Sequence, residues 1–224
     1  MPDVLAFDIG GLRDRDLEWF EKAVSAERRV RAAKYSFLDD RKRCLAAGVL
    51  LRYAVSKRHG VPVRELDEAK GAYGKPFLPD HLGVHFNLSH AYRWVVCATS
   101  TNPVGVDIER VDDRPMGIAR RFTPSEYAYV WNGPEEERPR RFTRIWTLKE
   151  ACVKYVSLGL HMRLDSFNVS VDDMHPQGLD RSGKEPPFLT QAVHGDDYYV
   201  AKCCENDTAL AIQTVPLEEL HSVC

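Results

Sequence analysis

The six cysteines include no C-x-x-C pair and the eight histidines no H-E-x-x-H, so neither a zinc cage nor a disulfide framework is signalled. They read as reduced packing thiols. Excess charge of one sign is also missing: 31 Lys and Arg against 33 Asp and Glu leave a net charge of −2, too little to draw in nucleic acid or a membrane surface. Any anion site has to be local. The opening MPDVLAFDIGG has neither the basic nor the apolar stretch of a leader, and the longest core-like run, 44–51, falls short of the ~20 residues that a membrane span needs. A soluble, cytoplasmic protein with no nucleic-acid or membrane partner is expected.

What is present fits a globular chain. With 224 residues, 44% hydrophobic and 29% charged, the length amounts to about one and a half domains of ~150 residues and can bury a core. Leu17, Phe20 and Val24 recur at helical spacing behind Asp14 and Asp16, and Ser25 can cap a second helix running to about Phe37. The stretch 39–59 opens on acids, is apolar on most faces over 44–55 and meets Gly60 and Pro62, which predicts a buried central helix. Val84, Phe86 and Leu88 then alternate with polar residues, 94–99 forms a second β run, and 90–93 reads as the hairpin connection. On a further strand Val104, Val106 and Ile108 alternate with Gly105, Asp107 and Glu109. Thr123-Pro124-Ser125-Glu126 is a capping box with proline at the first helical position, and a long helix follows over 141–158 with Gly159 as its terminator. The runs 167–171, 198–204 and 209–215 read as strands. Each half thus has a long helix followed by short antiparallel strands, which predicts an α+β fold of two lobes, 1–101 and 102–224, with a ligand in the cleft between them.

Asp107 and Glu109 are two apart on a strand and so share a face, where two crowded carboxylates repel unless a cation sits between them. A solvated strand face is the plainer alternative. Glu150 and Lys154, four apart, share a helix face with Trp146, and by spacing alone make an ordinary surface ion pair worth ~0.3–0.5 kcal/mol. Three carboxylates with no thiol or imidazole among them suit a hard ion such as Mg²⁺. Arg28, Arg29, Arg31, Lys34, Arg41, Lys42 and Arg43 form a basic cluster that is either a solvated face or a seat for a phosphomonoester. His90 follows Asn87-Leu88-Ser89 at a turn, where a histidine beside a serine suits phosphate binding as well as a structural role.

Taken together, these motifs resemble the 4'-phosphopantetheinyl transferases of the surfactin-synthetase activating type over nearly the whole chain. The first signature is Gly74-Lys75-Pro76 with His85-Phe86-Asn87-Leu88-Ser89-His90, the second Gly105-Val106-Asp107-Ile108-Glu109, and the third 146–154, WTLKEACVK. The resemblance implies a pseudo-twofold fold, each lobe a long helix packed on a small antiparallel sheet, with coenzyme A and Mg²⁺ (or Mn²⁺) bound between the lobes. It implies transfer of the phosphopantetheine arm from coenzyme A to a serine of an apo acyl or peptidyl carrier protein, releasing adenosine 3',5'-bisphosphate. Asp107, Glu109 and Glu150 match the metal carboxylates, and Lys154 the active-site lysine. Arg28 and Arg31, with Arg43 beside them, stand where the family places basic residues for the 3'-phosphate, and His90, beside Ser89, matches a phosphate contact. Tyr73, Gly74, Lys75 and Pro76 match the segment lining the adenine. Cys44 stands where relatives often carry a hydroxyl facing the 3'-phosphate, and a thiol is a weaker donor.

From this follow an expected monomer that serves peptide, polyketide or fatty-acid carriers, with Glu150, Lys154 and His90 as the catalytic set. The segment 117–130, with Ile118, Phe122 and Tyr127, is the expected carrier docking surface. Two rival readings are a metal-dependent phosphohydrolase or nuclease, which leaves 74–90 without a role, and a non-catalytic coenzyme A or carrier-binding scaffold, which has no need of three acids.

Overall fold

Burial of an all-round apolar helix organises the first half of the chain. In a computed structural model that describes residues 4–66, 68–71, 74–112, 116–179, 187–206 and 209–223, every residue from Cys44 to Val55 of helix α3 (Leu38–His59) is buried. Arg52 is buried with them, donating to the carbonyls of Val63 and Leu66 at 3.2 and 3.0 Å. Gly60 stops the helix in the left-handed region at φ 69°, a conformation that costs glycine nothing. Strand β1 (Val4–Asp8), α1 (Asp14–Ala23) and α2 (Ala26–Ala32) precede it. The Ser25 hydroxyl caps α2 by accepting from the Arg28 N–H. The helix expected to reach Phe37 ends at Ala32, the last buried residue of α2, beyond which Tyr35 and Phe37 are exposed and no core rewards another turn.

Strands β2 (Ala69–Lys70) and β3 (Pro76–Phe77) form a two-stranded ribbon closed by the Gly71 N–H to the Lys75 carbonyl, with Gly74 at φ 78°. Strands β4 (His85–Ala91) and β5 (Trp94–Ser100) pair antiparallel through a two-residue turn, Tyr92-Arg93, with Tyr92 at φ 50°. The connection is therefore shorter than 90–93, and His90 lies within β4 opposite Val95.

The second half uses a similar helix on a smaller sheet. Strand β6 (Val104–Arg110) is followed by α4 (Pro124–Trp131) and α5 (Arg138–Val156), then β7 (Phe188–His194), β8 (Tyr198–Cys204), β9 (Ile212–Thr214) and α6 (Leu217–Leu220). The capping box forms as the sequence predicts, with Pro124 opening α4. Helix α5 is closed by Ser157 at φ 67°, two residues before the expected Gly159. Residues 167–171 form no strand and make only a bridge from Asn168 to Gln177, while β7, whose FLTQAVH lacks clean alternation, pairs with β8 at the edge.

The chain divides into two compact units, Met1–Asn102 with Ala211–Cys224, and Pro103–Leu210. The tail, expected with the second lobe, joins the first because β9 pairs parallel to β1 and Val215 and Leu220 are buried in that unit's core. The first unit's sheet, in order β4-β5-β1-β9, is consequently mixed rather than purely antiparallel, whereas that of the second, β6-β8-β7, is antiparallel throughout. Both units are α+β. No helix among the described residues is long and apolar enough to cross a membrane.

Candidate active site

In the second unit the strand β6 and the helix α5 meet at a glycine. A Cβ on Gly105 would lie 2.1 Å from the Ala151 carbonyl oxygen and 2.5 Å from the Tyr155 nitrogen, so only glycine lets the helix backbone rest on the strand. Side chains two and four residues further along the same strand face, Asp107 and Glu109, are thereby brought under α5. Lys154 Nζ lies 2.6 Å from Asp107 Oδ1, and Trp146 Nε1 donates to Glu109 Oε1 at 2.9 Å. Glu150, one turn from each of these helical residues, faces the same acids. Beyond the pairing with Glu150 that the helical spacing suggests, Lys154 makes an ion pair that crosses from helix to strand.

Burial, then the charge of Asp107 and more weakly that of Glu109, push the Glu150 carboxyl up to about 7, against the pull of Lys154. The donor set is three carboxylates with a neighbouring ammonium, and its chemistry fits a hard divalent ion. Among the described residues no three His, Cys, Asp or Glu side chains already form a metal-binding cluster; the cation at Asp107 is Lys154. Beside Glu150 opens a pocket of about 400 Å³, walled by Ile118, Trp146, Val153 and Met162 and flanked by Arg120, Arg121 and Arg163.

Beneath this site lies an ion pair that sequence reading passes over. Lys149, fully buried, sits 2.8 Å from Glu126 Oε1 and donates to the carbonyls of Leu164 and Phe167 at 2.7 and 2.9 Å. Glu126 in turn accepts from the Thr123 and Val169 N–H groups at 2.9 and 2.7 Å. The capping box predicted one of these bonds; nothing in the spacing of Glu126 and Lys149 predicts the rest. Phe122, expected on a docking surface, is buried and stacks on Phe142 and Trp146 instead, while Tyr127 is exposed.

The basic cluster of the first unit is largely engaged. Arg28, buried, donates Nε to Glu68 Oε1 at 3.1 Å, Nη2 to Glu68 Oε2, and Nη1 to the Cys44 carbonyl at 3.2 Å. Arg31, exposed, donates Nε to the buried Cys44 sulfur at 3.4 Å. Arg43 is tied to Asp40 Oδ1 at 2.6 Å and to the Tyr92 carbonyl at 2.5 Å. Arg41 is paired with Glu21, and Arg29 donates to the carbonyls of Glu21 and Val24. Ser89 is buried and His90 exposed, as successive strand residues must be. Gly74, Lys75 and Pro76 shape the β2–β3 ribbon; Tyr73 lies outside the described residues.

Comparison with known proteins follows the two units. The family model for the 4'-phosphopantetheinyl transferase superfamily matches residues 103–204, and the one for the N-terminal part of 4'-phosphopantetheinyl transferase matches residues 13–102. A 4'-phosphopantetheinyl transferase of Bacillus subtilis is 34% identical over 201 residues, 88% of this chain and 90% of that protein. The 4'-phosphopantetheinyl transferase Sfp of Bacillus subtilis strain 168 is 30% identical over 212 residues, 93% and 95% of the two chains. The 4'-phosphopantetheinyl transferase psf-1 of Bacillus pumilus is 31% identical over 198 residues, 88% and 85%.

Proposed function

The chain belongs to the 4'-phosphopantetheinyl transferase superfamily and transfers the phosphopantetheine group of coenzyme A to carrier proteins, and we propose that Asp107, Glu109 and Glu150 hold a divalent ion, Mg²⁺ or Mn²⁺, for that reaction. The observation that supports the metal reading is the effect of the Asp107 and Glu109 charges on the Glu150 carboxyl across the β6–α5 contact, where Lys154 pairs with Asp107. When bound, such an ion neutralises charge on a diphosphate and on the leaving oxygen.

The residues of this chain do the rest by position and charge. Glu150, with its carboxyl near 7, is poised to take the proton of the attacking carrier serine at neutral pH. Lys154 is half-buried and points its ammonium at the acids, so it can donate to the same phosphoryl oxygens. His90, exposed on β4, adds a hydrogen bond to a phosphate. In the first unit Arg28, Arg31, Arg43 and Cys44 are assigned to the 3'-phosphate, Ser89 beside His90 to a phosphate, and Tyr73, Gly74, Lys75 and Pro76 to the adenine. The product that leaves is adenosine 3',5'-bisphosphate.

The exposed part of 117–130, led by Tyr127, and the arginine-flanked pocket beside Glu150 make the carrier docking side, with Phe122 a core residue. The pseudo-twofold arrangement is part of this reading, supported by the plan the units share, one long helix on a small sheet. So are a cytoplasmic location and a monomer serving peptide, polyketide or fatty-acid carriers. Neither the phosphohydrolase nor the scaffold reading draws support from the relatives.

The test is a mass measurement on an apo carrier incubated with the enzyme, coenzyme A and Mg²⁺. One serine should gain about 340 Da, the mass of one phosphopantetheine arm carried as a covalent modification. Nucleotide release without an adduct would mean hydrolysis, and chelation that leaves the rate unchanged would remove the metal from the mechanism.

A further inference from the structure

Between α5 and β7 the described residues make only two short 3₁₀ turns, Gly159–His161 and Leu164–Ser166, and the bridge from Asn168 to Gln177. A segment with so little ladder bonding takes its course from side chains. Lys149 supplies the first of them. Its ammonium has three protons, and three acceptors meet it: Glu126 Oε1 on α4 at 2.8 Å, and the Leu164 and Phe167 carbonyls at 2.7 and 2.9 Å. The same nitrogen lies 4.2 Å from the centroid of the Phe167 ring, a cation–π contact that holds the segment from a second side. Glu126 adds its own grip by accepting from the Val169 N–H at 2.7 Å. One residue earlier, Asn168 Oδ1 accepts from the Thr123 and Ser125 hydroxyls at 2.6 and 2.8 Å. The span 164–169 is thus fastened to both α4 and α5.

Apolar side chains of similar volume would hold α4 on α5 as well as this ion pair does. They would leave the Leu164 and Phe167 carbonyls without a donor, so what the charge adds is the path of the loop. That path matters because Met162, Arg163, Leu164 and Asp165 line the pocket beside Glu150. Lys149 and Glu150 are adjacent on α5, so a single turn of helix both supplies the acid and anchors a wall of the pocket. We propose that the Glu126–Lys149 pair positions the segment 162–169 for the carrier protein, so that it governs how tightly the apo carrier is held and leaves the coenzyme A site and the transfer step alone. The proposal rests on the reading of this pocket as part of the carrier docking side. Both are positioning residues: they are buried and act through the loop.

The experiment measures kcat and both KM values, with an apo acyl carrier protein as the probe, and follows backbone hydrogen exchange over 162–169. It compares wild type with Lys149→Met combined with Glu126→Gln, with Asn168→Ala and with Met162→Ala. In the double variant the KM for the carrier should rise about tenfold, with the KM for coenzyme A within about twofold and kcat within about tenfold of wild type. The amides of Ser166, Asn168 and Val169 should exchange faster, while those of α3 keep their protection. A role in stability alone would lower the amount of active enzyme, and so kcat, without separating the two KM values. Asn168→Ala spares the buried pair and cuts only the hydroxyl anchors, which keeps the test open if the double variant does not fold; it should raise the carrier KM about threefold. Met162→Ala alters the wall directly and tests docking by itself. An unchanged carrier KM in that variant means that the carrier docks elsewhere, and the docking reading falls together with the proposal. If Met162→Ala raises the carrier KM and neither the double variant nor Asn168→Ala does, docking stands and the proposal is overturned. It is overturned as well if the KM for coenzyme A rises as much as that for the carrier, or if the loop amides keep their protection in the double variant.

Discussion

Lys154 reaches across from α5 to place its ammonium 2.6 Å from Asp107 Oδ1, and Asp107 itself is only 2% exposed. The buried carboxylate thus lies beneath a lysine that keeps partial access to solvent. Asp107→Asn retains the shape and loses the charge. Because Lys154 is 26% exposed and can turn to water, the fold should persist, whereas carrier modification should fall about 10²–10³-fold, the range for losing one preorganised electrostatic group. Holo-carrier formation followed by mass, with a thermal melt alongside, checks both halves. A variant with undiminished turnover would remove Asp107 from the metal site.

Glu150 makes stability depend on pH in a direction that can be worked out. Its carboxyl is pushed up to about 7 in the fold from 4.5 in the open chain, so the native state holds the proton more tightly. The stabilisation is complete below about pH 4.5 and is lost as pH rises through 7. Glu150→Gln imitates the protonated acid. In metal-free protein it should match wild type near about pH 4 and gain on the order of 1–3 kcal/mol by pH 8, with Tm higher by about 2–4 °C per kcal/mol. Mg²⁺ should narrow the gap by stabilising wild type alone. A difference that is flat with pH would mean that neither burial nor the other acids raise the Glu150 carboxyl.

Much of this was legible before any coordinates. The glycine-closed α3, the Thr123–Glu126 cap, the alternation of β6 and the helical stripe of Trp146, Glu150 and Lys154 are local patterns, and each formed where periodicity placed it. What stayed hidden is non-local. Glu68 lies 40 residues from Arg28 and Glu126 lies 23 from Lys149, and no spacing rule joins such partners. Strand β1 hides in a short apolar opening, and its parallel pairing with β9 brings the tail back across the whole length of the chain. By sequence His90 reads as a turn residue, because a two-residue hairpin with Tyr92 at positive φ carries no glycine to announce it.

Gly105 is expected to be irreplaceable on steric grounds. Any Cβ meets two backbone atoms of α5 at 2.1 and 2.5 Å, and backbone cannot swing aside as a side chain can. Gly105→Ala should cost about 2–3 kcal/mol in urea unfolding, as overpacking does. Turnover should drop by more than the unfolded fraction accounts for, since the helix that carries Glu150 and Lys154 has to shift off Asp107. An unchanged midpoint together with full activity would show that α5 is not seated on β6 in this way.

The Glu126–Lys149 pair separates support from chemistry within a single motif, because Lys149 and Glu150 are neighbours on α5 that do different things. Lys149→Met leaves a carboxylate that is 1% exposed without its cation, and breaking a buried pair from one side costs about 3–5 kcal/mol. Adding Glu126→Gln removes that stranded charge while keeping an acceptor for the Thr123 and Val169 N–H groups, so the double variant should recover a large part of the loss. At a temperature where all the proteins are folded, the double variant should keep kcat within about tenfold of wild type, whereas Glu150→Ala should not. Denaturant midpoints for the two singles and the double give the coupling between the residues. If the double is worse than the sum of the singles, the two side chains are not partners, and the support beneath Glu150 has to come from elsewhere in α4 and α5.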